Sequence, residues 1–156
     1  MRLVVVAVGT GQPRWVNEGF ADYARRLPRE TPLELVEVRA ESRTAGRPKP
    51  ALLGTEAKRI EAAVPHGALR VALDERGRDL DTRALAALLG RWRQDGRDVA
   101  FLIGGPDGLD PTLKAAADSC IRLSSLTLPH GLARLMLAEA LYRAASLLAG
   151  HPYHRE

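Results

Sequence analysis

The run Leu3–Val8, LVVVAV, is unbroken apolar sequence and mostly β-branched. It is too short for the apolar part of a secretory leader, and it suits a strand buried in a core. Beyond it the chain alternates in character. Apolar residues at Trp15, Val16, Phe20, Tyr23, Ala24 and Leu27 approach helical spacing, and Pro28 and Pro32 end that segment. Residues 33–38 alternate apolar with acidic side chains and read as a second strand. The pattern then predicts a helix over 51–64, a strand over 69–73, a helix over 82–93 capped by Asp81, and a strand over 99–103. A short helix over 111–117 capped by Asp110, a short strand over 121–123 and a last helix over 132–149 complete the chain, with Gly150 and Pro152 closing the last helix. Strands and helices alternating at this length define an α/β class: a mostly parallel sheet with helices on both faces, in a single domain over 1–156.

With 156 residues, 46% hydrophobic and 27% charged, the chain matches an ordinary globular protein with one core. The net charge of +4 permits a nucleic-acid partner without requiring one. Cys120 has no cysteine to pair with, so a reducing, cytoplasmic location is expected. Residues 132–149 are the most apolar stretch, but Arg134, Glu139 and Arg143 argue against a membrane helix. Leucines lie all around that helix, so it must be covered on two sides, either within the monomer or by a second copy in a homodimer. The histidines lack metal-ligand spacing, and no metal is expected.

Parallel sheets hold ligands beyond the carboxyl ends of their strands. Three such ends are unusual here: Leu73-Asp74-Glu75-Arg76-Gly77, Gly104-Gly105-Pro106-Asp107-Gly108, and Ser124 through His130. Gly104 and Gly105 remove side chains where a flat ligand needs close backbone approach or positive φ, although a tight turn accounts for a lone Gly-Gly-Pro more readily. The last loop offers main-chain groups and small hydroxyls that can read an adenine edge. Familiar phosphate motifs are missing. Gly9-Thr10-Gly11 follows a strand, but Arg14 stands where the dinucleotide fingerprint needs a third glycine. The basic loop 39–50 is either a solvated surface loop or an RNA-contacting arm. The terminal HPYHRE is unusually dense in titratable and aromatic groups for an end that would normally fray.

The segments LDERG, LIGGPDGL, LTLPH and HPYHRE, with VAVGTGQPRWVNEGF near the start, resemble the RlmH family of SPOUT methyltransferases over nearly the whole chain. Residues 39–54 do not contribute, and Gly131 stands where the family mostly has proline. The resemblance implies a carboxyl-terminal trefoil knot, a homodimer, S-adenosylmethionine as cofactor, and methylation of N3 of a pseudouridine in 23S rRNA of the assembled ribosome. The cofactor positions it implies are Leu73, Gly104, Leu123, Ser124, Ser125, Leu126, Thr127 and Leu128, beside Gly105 from the glycine argument.

A pseudouridine N3 must lose a proton, and His154 has an ordinary pKa suited to take it. Tyr153 is assigned to substrate stacking, and Arg143 and Arg155 to phosphate. The rival reading is a non-enzymatic RNA- or ribosome-binding protein, which the basic loop and tail serve as well but which needs no Gly-Gly pocket.

Overall fold

The computed structural model describes residues 1–44 and 46–153. Its order is β1 (Leu3–Val8), α1 (Arg14–Arg26), β2 (Leu33–Val38), α2 (Lys49–Ala63), β3 (Leu69–Asp79), α3 (Thr82–Asp95), β4 (Val99–Ile103), α4 (Pro111–Ala115), β5 (Ser119–Arg122) and α5 (His130–Leu148). The strands form one sheet in the order β2-β1-β4-β3-β5. Every neighbouring pair is parallel.

The alternation of side chains along a strand divides the core into two layers. Leu3, Val5 and Ala7 of β1 point into the layer covered by α1, α3 and α5. Val4, Val6 and Val8 point into the other, with Ile60 of α2 and Leu113 of α4. All six residues of β1 are buried, as its sequence requires of a strand covered on both faces. Asp81 caps α3 by accepting the Ala84 N–H (2.7 Å), and Asp110 caps α4 through the Thr112 and Leu113 N–H groups (2.9 and 3.1 Å).

The sequence pattern stops the third strand at Leu73, yet β3 runs on to Asp79. Leu73 and Arg78 both face Ile121 of β5, so the four residues between them form a bulge. Local patterning misses this extension because its residues are polar, and pairing with β5 supplies the reason for it. A Cβ on Gly77 would overlap the Ile121 backbone, so glycine is required for the two strands to close beyond the bulge.

The last helix begins at His130, two residues before the pattern predicts, and lies between α1 and α3. Leu137, Ala138, Leu141 and Ala144 are fully buried in that seat. Among the described residues no helix is long and apolar enough to cross a membrane.

Two glycine substitutions should act in opposite directions. Gly77→Ala is expected to destabilise by about 1–3 kcal/mol, because the strand must shift to admit the methyl group. Gly54→Ala, inside α2 with open space around the new Cβ, is expected to stabilise by about 0.5–1 kcal/mol. Urea unfolding midpoints of the two variants check both signs.

Candidate active site

β1 and β4 are neighbours whose following connections lead to opposite sides of the sheet, β1 to β2 and β4 towards β5. Such a reversal opens a crevice at the carboxyl ends of the strands. Here the amino end of α5 fills it. Arg134 is 0% exposed, pairs with Glu37 Oε2 (2.6 Å) and donates to the Gly9 carbonyl (3.2 Å) and to His130 Nε2 (2.8 Å). The guanidinium thereby ties α5 to the ends of β1 and β2.

Displaced from the crevice, a cavity of about 670 Å³ opens over β4, β3 and β5. That volume suits a nucleoside-sized ligand. Leu73, Gly104, Gly105, Leu123, Ser124, Leu126, Thr127 and Leu128 all line it, so loops distant in sequence meet where the strand pattern placed them. Ser125 is exposed beside the cavity and does not line it.

Neither Gly104 nor Gly105 has positive φ, contrary to one reason for expecting glycine there. Close packing is the operative reason. A Cβ on Gly104 would overlap the Gly108 carbonyl, and one on Gly105 would come within 3.1 Å of Val8 Cγ1. The Gly108 N–H donates to the Gly105 carbonyl (3.0 Å) and folds the loop into a tight turn. Opposite it, the Leu126 N–H donates to the Ser124 hydroxyl (2.9 Å). Among the described residues no other main-chain hydrogen bond engages 124–128, so the remaining main-chain groups there are available to a ligand.

The charged wall is one that local sequence did not reveal. Burial alone would raise the Asp74 carboxyl, but the Arg76 N–H (2.9 Å) and the Lys114 ammonium (2.9 Å) outweigh it and hold the carboxyl below its ordinary value. His130 also lines the cavity. Burial, and then the Arg134 charge, push its pKa down, partly offset by the Gly104 backbone and Glu37. The ring is therefore neutral near pH 7. Since Nε2 accepts from Arg134, the proton sits on Nδ1, a buried atom with no hydrogen-bond partner of normal geometry among the described residues. The signal that could have found this pair is an arginine four residues after a histidine in the apolar first half of the helix.

Arg143 and Tyr153 stand elsewhere. Arg143 is about 20 Å further along α5 than His130, at ~1.5 Å per residue. It is held by Glu139 Oε1 (2.9 and 2.6 Å) and lies over the Tyr153 ring at 5.0 Å. Tyr153 packs on Tyr142, centroids 4.4 Å apart, and its hydroxyl donates to Glu139 Oε1 (3.3 Å). Burial, with Tyr23 and Glu139 beside it, pushes the phenol well above its ordinary pKa. Tyr153 and Arg143 do not line this chain's own cavity. His154 and Arg155 lie outside the described residues.

The family model described as "Predicted SPOUT methyltransferase" matches residues 1–154. The chain belongs to the SPOUT methyltransferases. It is 59% identical over 155 residues to a Ribosomal RNA large subunit methyltransferase H of Bordetella petrii, with 99% of both chains covered. A protein of the same description from Ralstonia pickettii is 56% identical over 155 residues, again with 99% of both chains covered. Among solved structures, a probable methyltransferase from Bordetella pertussis aligns with TM-score 0.54 and 21% identity over 92% of this chain and 93% of its own. A putative RNA methyltransferase from Bacillus anthracis aligns with TM-score 0.52 and 14% identity over 99% and 98%. These two likenesses establish the shared fold of the SPOUT chain. Among its described residues no group of His, Cys, Asp and Glu is arranged to hold a metal ion.

The lowered pKa of His130 carries a pH dependence for this SPOUT domain. A group whose folded pKa lies below its unfolded value contributes stability above the unfolded value, and that stability is lost as pH falls through the folded one. Unfolding free energy should therefore drop as pH falls from about 7 through the ordinary histidine value of 6.5 in the native protein, and drop less in His130→Gln. Urea titrations across that range measure the difference.

Proposed function

We propose that the protein transfers the methyl group of S-adenosylmethionine to N3 of a pseudouridine in 23S rRNA of the assembled ribosome, and does so in the cytoplasm as a single SPOUT domain over 1–156. The observation that carries this reading is the cavity at the strand ends in a chain 59% identical, end to end, to a large-subunit rRNA methyltransferase. The residues fit the cofactor. The Gly104–Gly105 turn is packed so closely that side chains are excluded, and the 124–128 loop presents uncommitted main-chain groups. Leu73, Leu123, Leu126 and Leu128 supply apolar walls for an adenosyl group, and Ser124, Ser125 and Thr127 supply hydroxyls at or beside the cavity. The carboxyl-terminal trefoil knot belongs to this reading. In its favour, the chain leaves β5 at one sheet edge and re-enters α5 beside Gly9 of β1, passing the ends of β3 and β4.

The cofactor supplies an electrophilic methyl group, and holding the nucleophile in line with it can contribute ~7–11 kcal/mol. The protein must also accept the N3 proton as the new N–C bond forms. His154 is the proposed acceptor, Tyr153 stacks on the target base, and Arg143 and Arg155 hold phosphate. Neutral His130 cannot accept a proton at Nδ1, which already carries one and is buried, and its Nε2 is taken by Arg134, so it is not the N3 proton acceptor in this scheme.

The tail acts from a second copy in this scheme. A groove of about 410 Å³ along α5, lined by Tyr23, Leu80, Leu85, Leu132, Leu135 and Met136, offers an apolar seat for a homodimer. Arg122 and Leu123 line both that groove and the cofactor cavity, so a partner in the groove would border the cavity. Tyr153 and Arg143, which do not line their own chain's cavity, would then meet the cavity of the partner.

Calorimetry should detect S-adenosylmethionine binding by the native protein. Gly105→Val, which crowds Val8, should weaken that binding tenfold or more, to the order of 1.4 kcal/mol. No binding by the native protein would leave the RNA-binding alternative standing.

Removing residues 153–156 should abolish methylation of ribosomes that lack the modification, with cofactor binding nearly intact. Mass spectrometry of the nucleotide reads the product. Mixing the truncated protein with Gly105→Val should restore activity, because a mixed dimer has one intact cavity facing one intact tail. No restoration would overturn the two-copy arrangement.

A further inference from the structure

The loop that bounds the cofactor cavity has few ways to hold its own position. Between Gly105 and Gly108, which are bridged to each other, lie only Pro106 and Asp107. Proline has no polar side chain, so the one side chain that can anchor the turn electrostatically is Asp107, which lines the cavity. Its partner comes from the segment between β2 and α2. Arg43 Nε donates to Asp107 Oδ2 (3.3 Å). The same guanidinium grips Glu56 of α2 with both terminal nitrogens (2.7 and 3.2 Å) and donates to the Glu41 carbonyl (2.6 Å). Glu56 is 2% exposed and also accepts the Glu41 N–H (2.9 Å).

A buried carboxylate must be paired and hydrogen-bonded to stay ionised, and a two-pronged arginine is the geometry that does this with a fixed orientation. Glu56 therefore fixes the plane of the Arg43 guanidinium, and the remaining Nε–H points where Asp107 receives it. Glu56 Oε1 also lies 3.7 Å from where a Gly105 Cβ would stand, so the clamp borders the turn at Gly105 as well as holding Asp107. Lys49, itself on the cavity wall, adds a looser contact to Asp107 Oδ1 at 3.7 Å. Arg43 of the basic segment, which reads from sequence as either a solvated loop or an RNA arm, is thus committed to contacts within the chain.

We infer that Arg43 is a positioning residue for the methyl-donor site: held by buried Glu56, it sets the place of the turn 104–108 through Asp107. This rests on the reading of that cavity as the S-adenosylmethionine site. Lysine at 43 keeps the charge beside Glu56 but has a single nitrogen, which cannot serve Glu56 and Asp107 together.

Arg43→Lys, Asp107→Asn and the double variant test it in the full-length protein. In Arg43→Lys the melting temperature should stay near that of the native protein, while calorimetry should show S-adenosylmethionine binding about tenfold weaker. Asp107→Asn added to Arg43→Lys should cause little further loss, since the two act through one contact. A second readout needs no cofactor. The Gly108 amide, bonded to Gly105, should exchange its hydrogen at least several-fold faster in Arg43→Lys, by nuclear magnetic resonance. Native-like exchange at Gly108 overturns the clamp even if the cavity proves to bind something else. Native-like affinity in a folded Arg43→Lys, or fully additive losses in the double variant, also overturns it. Failure of the native protein to bind S-adenosylmethionine would instead count against the cavity's assignment, with the exchange measurement still deciding the clamp.

Discussion

A full positive charge with no solvent exposure organises the functional edge of this molecule. Arg134 sits in the most apolar helix of the chain, and burying it costs several kcal/mol unless it is paired. Glu37 and the Gly9 carbonyl answer that requirement from the ends of β2 and β1. The consequence is geometric. The first turns of α5 lie over the crevice that a reversal of strand order would otherwise leave open, and the cavity opens to the side, over β4, β3 and β5. The same charge helps keep His130 neutral and selects its tautomer, so a demand of stability also sets the chemistry of one cavity wall.

The opposite wall is built by close backbone approach rather than by charge. Gly104 touches the Gly108 carbonyl and Gly77 touches the Ile121 backbone, two places where main chains meet with no room for a methyl group. The first folds the turn that faces the cavity. The second lets β5 pair with β3 past a bulge, which brings the 123–128 loop round to meet that turn. Removing side chains at two points thus sets the mouth of the cavity, and the Arg43–Glu56–Asp107 contacts hold its rim from outside.

Much of the architecture was legible because it follows short-range periodicity. β1, β2 and β4 lie where the unbroken or alternating runs put them, and the caps at Asp81 and Asp110 form as read. The misses share a cause. The polar extension of β3 through Arg78 and Asp79 exists only because β5 pairs with it, with Arg122 bound to Asp79, and pairing between distant segments leaves no local trace. The resemblance placed Leu73, Gly104 and residues 123–128 at one site, and all but Ser125 line one cavity.

What the sequence determined by itself is the set of elements, their alternation and the conclusion that the sheet is buried on both faces, because side-chain period and burial are properties of a few consecutive residues. It also carried the family, through motifs whose spacing survives without any knowledge of contacts. Only the tertiary structure decided which polar residues face each other. Arg134 could have been read as a solvated charge on α5, Arg43 as part of a basic surface loop, and Tyr153 as a group near its own cofactor site. Their partners, Glu37, Glu56 with Asp107, and Tyr142 with Glu139, lie on other elements or other turns of the helix. Electrostatic pairing depends on distance in space and not on separation along the chain, so those assignments wait for the fold.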